Sequence, residues 1–333
     1  SVSRGLGDVY KRQKTFKTIF PAVSVPLNDD YSINEPEFRA YLRWIKTFYG
    51  KGMDGLVCNG HTGEITGLTR AERKRVVEIC AEECGDVMTI ISGVNCENTA
   101  ESIEMAKEAK EAGADGILLM PPHMWLRFGM NPDAPFEYVK DVAEGADIDI
   151  IIHLYPATSK AFYPVETLIK MCKEIDHVKC IKMGTRVTSI YEHDVRLLRQ
   201  ECPDISLITC HDETLCVSWF PGMDGALIGF AGCVPEIICP AREVFANPDK
   251  HTLKEAQDWS DRIYHISQAI YGGGQPSGEA HARLKEALKQ RGIFKSALMR
   301  KPVLPLNDEE KAWVALGLER SQLPEVDMTQ FED

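Results

Sequence analysis

The sequence predicts a (β/α)8 barrel followed by a C-terminal helical extension. Eight short apolar runs follow one another along the chain, and seven of them are separated from the next run by a helix-sized segment. The runs are continuously apolar rather than alternating, as expected for parallel strands that are covered on both faces. Eight such strands can close into a barrel. An open, doubly wound dinucleotide-binding sheet has little support, because no G-x-G-x-x-G motif follows the first strand.

The elements can be placed in order from turn residues and helical spacing. A capping box of Thr69 and Glu72 marks the start of the second helix, and Gly113 ends the third. The predicted strands are 16–27, 55–58, 87–92, 114–120, 148–155, 178–182, 205–209 and 225–228. Helices are predicted at 35–49, from Thr69, at 98–112, 136–145, 164–175, 189–199 and 214–220, and after the last strand at 236–245, 252–271, 279–290 and from Asp308.

The chain therefore divides into three predicted segments. Residues 1–13 have no apolar core and are interpreted as a non-native or disordered tail. Residues 14–248 should form the barrel, and residues 249–333 the helical extension. The acidic end of that extension, residues 325–333, is expected to be frayed.

Composition excludes several classes of partner. The chain of 333 residues carries 38 basic and 50 acidic side chains, a formal net charge of −12, so a nucleic-acid or anionic-membrane partner is not expected. No run approaches the roughly 18 apolar residues of a membrane-spanning helix. The eleven cysteines form no C-x-x-C pair, which argues against a zinc ribbon or a thioredoxin-like site. Without a secretory signal, we expect reduced thiols and a cytoplasmic location.

Lys182 is the leading candidate for a catalytic residue. It closes the apolar run of residues 178–182 and is followed by Met183 and Gly184, so it lies where a buried strand emerges. In a barrel, that end of the strand opens into the mouth of the active site. Partial desolvation there lowers the pKa of an amine and makes it a nucleophile toward a carbonyl. The alternative is a strand-end lysine whose ammonium group simply reaches into water.

The second predicted strand ends in a glycine-rich loop, residues 60–64 (Gly-His-Thr-Gly-Glu). Exposed backbone N–H groups around His61, Thr62 and Gly63 would suit an anion such as a substrate carboxylate. The Thr62 hydroxyl can add a hydrogen bond or a proton relay, and Glu64 is expected to cap the loop from within. The alternative is a plain glycine turn.

The fifth predicted strand ends in His153 and Tyr155. Side chains alternate along a strand, so both should point to the same face, the barrel interior or its mouth. A tyrosine at that place can act as a general acid and base beside a Schiff base. The alternative is a core aromatic side chain with one satisfied hydroxyl group.

Four stretches, in order, resemble the class I aldolase family that includes dihydrodipicolinate synthase and N-acetylneuraminate lyase. Residues 60–64 are similar to that family's Gly-Thr/Ser-Thr/Ser-Gly-Glu loop, and residues 151–156 to the strand that bears its catalytic tyrosine. Residues 180–182 (Cys-Ile-Lys) are similar to its Gly-Ile-Lys element with the Schiff-base lysine. Residues 222–226 are similar to the Gly-Ala-Asp-Gly segment before its eighth strand. The resemblance covers residues 16–306 and implies the barrel fold.

The sequence also departs from the family pattern. His61 replaces the first hydroxyl residue of the loop. A gap-free match places His153 at the catalytic tyrosine, whereas a shift of one residue relates Tyr155 to it; we favour Tyr155 and keep His153 as the alternative. The family's second tyrosine and a following arginine are missing, and the segment after Lys182 differs. The region of the second tyrosine holds His123, Met124 and Trp125, the nearest basic group to the arginine is Lys160, and the altered segment is Met183, Gly184, Thr185 and Arg186. These departures point to a substrate other than that of lysine biosynthesis.

The resemblance implies chemistry through a lysine imine. Lys182 would condense with a 2-oxo acid such as pyruvate, Tyr155 or His153 would shuttle protons with Thr62 as a relay, and the backbone from His61 to Gly63 would hold the carboxylate. The enamine would then add to an aldehyde, arise by retro-aldol cleavage or lose a hydroxyl group. Neither a cofactor nor a metal is implied, since the imine is the electron sink. A homo-oligomer, dimer or tetramer, is expected.

Two further hypotheses compete with the lysine imine. Histidines and carboxylates fall at several predicted strand ends, which would suit a metal-assisted hydrolase or lyase; they are His61, His123, His153, His211, Glu64 and Asp212. The other hypothesis is a non-catalytic barrel that binds a small acid. The missing tyrosine and arginine motivate it, and retention of Lys182 argues against it.

Overall fold

The computed structural model describes residues 14–272 and 278–332. Eight parallel strands form a barrel at its centre. They are β1 (Ile19–Pro21), β2 (Gly55–Cys58), β3 (Thr89–Val94), β4 (Gly116–Leu119), β5 (Asp149–His153), β6 (Val178–Met183), β7 (Ser206–Thr209) and β8 (Gly225–Ile228). Their hydrogen-bonded order is β1-β8-β7-β6-β5-β4-β3-β2. The Val23 N–H donates to the Val57 carbonyl oxygen at 2.9 Å and joins the two ends of the sheet. The predicted barrel is confirmed.

Alternate strand residues fill the barrel interior. Ile151 on β5 and Cys180 on β6 belong to the inner cluster of buried side chains, with Phe20, Val57, Ile91, Leu118, Ile208 and Leu227 from other strands or their ends. Their strand neighbours, such as Ile150, Ile152 and Ile181, join the larger cluster that packs beneath the helices. Because side chains alternate, the residues two positions beyond Ile151 and Cys180 return to the inner face, at the strand ends.

Helices lie between the strands and after the last one. They are α1 (Glu35–Lys46), α2 (Arg70–Cys84), α3 (Thr99–Glu111), α4 (Met124–Phe128), α5 (Ala134–Ala146), α6 (Val165–Glu174), α7 (Thr188–Glu201), α8 (Leu215–Trp219), α9 (Pro235–Ala246), α10 (Leu253–Tyr271), α11 (Gly278–Gln290) and α12 (Asp308–Arg320). The predicted capping box of Thr69 and Glu72 is present at the start of α2. Reciprocal capping bonds also fix the starts of α10 and α12.

Several predicted boundaries differ from the structure. The first strand, Ile19–Pro21, is shorter than the predicted 16–27: beyond it the Ala22 N–H still donates to the Ile228 carbonyl oxygen at 3.1 Å, but the chain forms only isolated bridges. The fifth strand leaves its ladder after His153 and does not reach Tyr155. Helix α4 was not predicted; its five residues are too few to be stable alone, and Trp125 packs edge-on against Tyr138 and Tyr163.

The acidic C-terminal end is ordered rather than frayed. The Val326 N–H donates to the Arg291 carbonyl oxygen at 2.7 Å, and Met328 is buried. A 3-10 turn, Thr329–Phe331, brings the Phe331 carbonyl oxygen within 3.0 Å of the Arg43 guanidinium. The prediction of fraying overlooked these contacts with the extension and the barrel, which fix residues 326–331.

The remaining sequence-level expectations concern the tail, the thiols and the membrane. The predicted tail, residues 1–13, lies outside the described residues, as does Asp333 at the end of the predicted extension. All eleven cysteines are free thiols. Among the helices described above, none combines the length and the apolar character needed to cross a membrane.

Candidate active site

Lys182 projects from β6 into the open end of the barrel. Its side chain continues the inner face on which Cys180 is buried, and it borders a cavity of about 580 Å³. No described residue places a hydrogen-bond acceptor within reach of Lys182 Nζ. Burial lowers the pKa of this amine from its ordinary value of about 10.5, and the positive charge of Arg186 adds to the effect, while Cys210 and Asp212 oppose it. A larger share of the amine is therefore uncharged than in an exposed lysine.

His153 and Tyr155 lie beside Lys182. His153 is the direct cross-strand partner of Lys182 in the β5–β6 register, and Tyr155 follows two residues later on the same face. Their rings meet edge to face, with centroids 4.9 Å apart, and each residue is 8% exposed. Strand alternation thus correctly predicted that both face the cavity.

A close backbone approach fixes the spacing of β5 and β6 at this end. A Cβ atom on Gly184 would lie 1.9 Å from the Leu154 carbonyl oxygen, so only glycine fits there. The Leu154 N–H donates to the Lys182 carbonyl oxygen at 3.1 Å. These contacts hold the chain after Lys182 against the segment that joins His153 to Tyr155.

The loop after β2 supplies another part of the cavity wall. His61 and Thr62 line the cavity, whereas Gly63 lies behind them and is absent from the lining that the described residues provide. A Cβ atom on Gly63 would lie 3.0 Å from the Val23 carbonyl oxygen, so this glycine allows the loop to approach β1. The rings of His61 and His153 are 5.7 Å apart.

Glu64 binds the C-terminal helices and does not cap its own loop, contrary to the sequence-based expectation. Its carboxylate accepts a hydrogen bond from Lys285 Nζ on α11 at 2.5 Å and another from the Arg300 backbone N–H at 2.8 Å. Lys285 is 1% exposed, so this is a buried ion pair. Arg300 in turn pairs with Glu72 on α2. The loop after β2 is therefore tied to the end of the chain.

The cavity is completed by residues that follow β8. Strand ends and their loops supply its floor and most of its wall, and helices α10 and α11 and the segment near residue 300 supply the rest. The lining residues from that later part are Tyr271, Gly278, Ala280, His281, Met299, Arg300, Lys301, Pro302 and Val303. The sequence did not identify them, because nothing in their spacing indicates that they fold over the barrel mouth.

Burial lowers the pKa of three histidines that line the cavity. Desolvation, aided by the charge of Lys182, lowers the pKa of His61 to about 3 and the pKa of His153 well below its usual value. Burial also lowers the pKa of His281 to about 4. At neutral pH these three imidazoles therefore accept hydrogen bonds and add no positive charge beside the amine.

Asp212, in the loop after β7, is a second carboxyl group on the cavity wall, in addition to Glu64. It accepts hydrogen bonds from the Tyr271 hydroxyl at 2.8 Å and from the Phe230 N–H at 3.1 Å. Burial nevertheless raises its pKa to about 6. Arg186, which also lines the cavity, is held by Glu213. A Cβ atom on Gly229 would lie 2.9 Å from both the Thr62 hydroxyl and the Tyr271 hydroxyl, so glycine leaves the space between them open.

His123, in the loop after β4, lies beside Tyr155. The Tyr155 hydroxyl is 3.4 Å from Nε2 of His123 and 3.4 Å from Nε2 of His61. Within residues 14–272 and 278–332, no three histidine, cysteine, aspartate or glutamate side chains are placed to hold a metal ion. His61, His123 and His153 thus meet around a phenol, whereas His211 packs against Tyr191 with ring centroids 4.8 Å apart and lines a different cavity. The described residues offer no ligand set for the metal-assisted alternative.

Comparisons with known proteins identify the family of this chain. The dihydrodipicolinate synthetase family profile matches residues 15–320. The 4-hydroxy-tetrahydrodipicolinate synthase of Bartonella bacilliformis is 26% identical over 309 residues, which cover 92% of this chain and 98% of that protein. An uncharacterized DapA-like lyase of Thermofilum pendens is 25% identical over 292 residues, which cover 87% of this chain and 92% of that protein.

Solved structures share the fold. YagE, a prophage protein of the dihydrodipicolinic acid synthase family from E. coli K12, was solved in complex with pyruvate; it superposes with a TM-score of 0.82 at 21% identity and covers 92% of this chain and 99% of its own. Dihydrodipicolinate synthase from Aquifex aeolicus superposes with a TM-score of 0.80 at 19% identity; the match covers 93% of this chain and 99% of that one. Together with the family match, the barrel defines a lyase of the class I aldolase type. Within that class, the chain belongs to the dihydrodipicolinate synthetase family.

Proposed function

We propose that this lyase acts on a small 2-oxo acid of the pyruvate type by forming an imine on Lys182. The observation that carries the proposal is an amine in the cavity that has no described hydrogen-bond acceptor and a lowered pKa. Two relatives in this family support pyruvate itself: YagE and the dihydrodipicolinate synthase from Acinetobacter baumannii were both solved in complex with it.

Imine formation uses the neighbours of Lys182. The uncharged amine attacks C2 of the oxo acid and forms the C–N bond, while the carbonyl oxygen takes a proton from the Tyr155 phenol. The nitrogen then loses a proton, which returns to the phenolate of Tyr155. The phenol next protonates the hydroxyl group, which leaves as water to give the protonated imine, and the phenolate regains a proton from solvent. His153 is the alternative shuttle, since it is the cross-strand partner of Lys182 and is also neutral. The Thr62 hydroxyl, on the opposite wall, serves as a relay.

The loop after β2 would hold the substrate carboxylate. No described residue accepts a hydrogen bond from the backbone N–H groups of Thr62 and Gly63, and their neighbour His61 borders the cavity. Free N–H groups in a glycine-rich loop suit an anion. A carboxylate at this loop places the adjacent C2 atom toward Lys182.

The size of the cavity supports a second reactant. Pyruvate occupies only a small part of the volume of about 580 Å³. The remainder, between Leu126 and the segment near Val303, can receive the aldehyde that the enamine adds to or that leaves on cleavage. A hydroxyl group on the same carbon chain could instead be eliminated, which would make the enzyme a carbon–oxygen lyase.

We also propose a cytoplasmic homo-oligomer, dimer or tetramer, built from a barrel of residues 14–248 and an extension of residues 249–333. The exposed Tyr264 on α10 and Trp313 on α12, 57% and 56% exposed, support an apolar contact surface on the extension. Light scattering coupled to gel filtration measures the oligomeric state, and a chain that elutes as a monomer at all concentrations contradicts this part of the proposal.

Borohydride trapping tests the proposed function. Pyruvate and sodium borohydride should add the mass of one reduced pyruvate to the protein, and peptide mapping should place it on Lys182. Lys182→Met should abolish the adduct, whereas Lys179→Met, an exposed lysine on the same strand, should leave it unchanged. The absence of an adduct with pyruvate and longer 2-oxo acids in folded protein would contradict the proposal. If such acids then raise the melting temperature, the non-catalytic binding barrel is favoured; if activity requires an added metal, the metal-assisted reaction is favoured.

A further inference from the structure

We propose that His123 is the terminal proton acceptor of a relay that runs through Tyr155, with His61 as the inner partner that orients the phenol. The inference rests on the proposed imine chemistry of Lys182. It adds a residue from the loop after β4 to the reaction.

The geometry places one phenol between two imidazoles. The Tyr155 hydroxyl is 3.4 Å from Nε2 of each ring, and the rings of His61 and His123 are stacked, with centroids 6.1 Å apart and planes 16° from parallel. A distance of 3.4 Å is long for an O–H···N hydrogen bond, but such contacts often shorten when a substrate is bound. A phenol has one proton, so it can serve one of the two nitrogens at a time.

Asn95 determines which nitrogen of His123 can accept a proton. Its side-chain amide nitrogen lies 3.0 Å from His123 Nε2 and 3.3 Å from the Met120 sulfur. An amide nitrogen only donates, and both of these partners can accept. Nε2 of His123 therefore carries the lone pair, which accepts from Asn95, and Nδ1 carries the proton. Nε2 can take the phenol proton once the Asn95 amide turns away from it.

The two histidines are not equivalent. His61 is packed close enough to Lys182 to feel its charge, and burial holds its pKa at about 3, so it stores a proton poorly. His123 lies at the edge of the cavity, next to the exposed Met124 that begins α4. A proton that reaches His123 is therefore farther from the charged imine and closer to solvent.

The relay acts when the imine becomes an enamine. The C3–H bond of the substrate breaks, and its electron pair forms the C2–C3 double bond while the C=N electrons move onto the nitrogen. The proton goes to the Tyr155 oxygen as the phenol proton passes to Nε2 of His123. The positive charge of the iminium thus moves to the imidazole, and no charge is created or lost. Asn95 must then rotate to present its carbonyl oxygen to the new N–H.

Transfer of deuterium from D2O into the methyl group of pyruvate, followed by proton NMR, measures this step directly. His123→Gln, which can contact the phenol but cannot store a proton, should slow the exchange about 100-fold. It should leave the borohydride adduct on Lys182 in place. His193→Gln, an exposed histidine on α7, is the matched control and should exchange at the wild-type rate.

A double-mutant comparison separates a relay from a structural role. In a Tyr155→Phe background, His123→Gln should slow the exchange by less than about threefold, because the relay is already interrupted. Equal exchange rates in His123→Gln and wild type, or the same fold-change in both backgrounds, would overturn the relay while the adduct on Lys182 still stands. A wild-type protein that forms no adduct and exchanges no deuterium would overturn the imine chemistry as well as the relay.

Discussion

Two lysines of this protein, one buried and one half-buried, have opposite surroundings. Lys285, on α11, is 1% exposed and donates to the Glu64 carboxylate at 2.5 Å and to the Leu298 carbonyl oxygen at 2.8 Å. Lys182, on β6, borders the cavity, and the described residues offer its Nζ atom no hydrogen-bond acceptor. Burial lowers the pKa of both amines, but at Lys285 the charge and hydrogen bond of Glu64 oppose the shift.

The difference separates a structural ammonium from a reactive amine. A buried ammonium that is paired stays charged and joins two parts of the fold, whereas an unpaired one is destabilised and loses its proton more easily. Burial alone therefore does not identify a nucleophile. The missing acceptor and the access to a cavity distinguish Lys182 from Lys285.

Removal of the paired lysine should give the largest effect on stability. Lys285→Met leaves the Glu64 carboxylate buried without its cation, so we expect the free energy of unfolding to fall by about 3–5 kcal/mol. Urea denaturation measures this change. Lys289→Met, an exposed lysine on the same helix, should change it by less than about 0.5 kcal/mol.

Removal of both partners tests the assignment of that ion pair. The double variant Glu64→Gln with Lys285→Met should be more stable than Lys285→Met alone, because no unpaired charge remains. A Lys285→Met protein as stable as the wild type would show that the ion pair with Glu64 does not stabilise the fold.

Removal of the unpaired lysine should increase stability rather than reduce it. Lys182→Met should raise the free energy of unfolding by about 1 kcal/mol near neutral pH, as is common when a strained active-site group is replaced. The folded-state pKa of Lys182 lies below the value of 10.5 in the unfolded chain. The unfolded state therefore binds more protons between these two values, and wild-type stability rises with pH there.

The advantage of Lys182→Met should accordingly shrink as pH rises toward 10.5. Thermal denaturation of both proteins over a pH series checks the sign. A variant that is less stable than the wild type at neutral pH would mean that the ammonium of Lys182 is well solvated or paired.

The smallest expected effect comes from Asp212, the carboxyl group whose charge raises the pKa of Lys182. Asp212→Asn should move the pH midpoint of adduct formation downward by less than about one unit. Because the pKa of Asp212 is about 6, the two proteins should differ above that pH and converge below it.

Trapping rates with pyruvate and borohydride across a pH series measure that midpoint. Asp204→Asn, an exposed aspartate before the same strand, is the control and should leave it unchanged. An upward movement in Asp212→Asn would show that hydrogen bonding, not charge, dominates at this carboxyl group.

The barrel and the face on which Lys182 lies could be predicted, because both follow from local patterns. Continuous apolar runs indicate parallel strands, and alternation by two residues places His153 and Tyr155 on one face. These signals require only neighbouring residues. The structure bears out that geometric part of the prediction, while the roles of the side chains remain proposals.

The rest of the site could not be predicted, because it depends on contacts that are distant in sequence. Glu64 and Lys285 are 221 positions apart, and the residues around either one do not indicate that the two side chains will meet. The position of Tyr271 against Asp212 likewise requires the path of the chain after β8. For the same reason, the expectation that Glu64 caps its own loop was wrong. That expectation gave Glu64 a partner within its own loop, whereas its partner Lys285 is distant in sequence.

The dependence of the cavity on α10, α11 and the segment near Arg300 has a consequence for synthesis on the ribosome. Translation proceeds from the N-terminus, so all eight strands leave the exit tunnel before Lys285 and Arg300 do. Until then, Glu64 lacks its cation and the mouth lacks its last wall. A nascent chain can therefore form the barrel before the cavity is complete. Ligand binding becomes possible only when nearly the whole polypeptide has been synthesised.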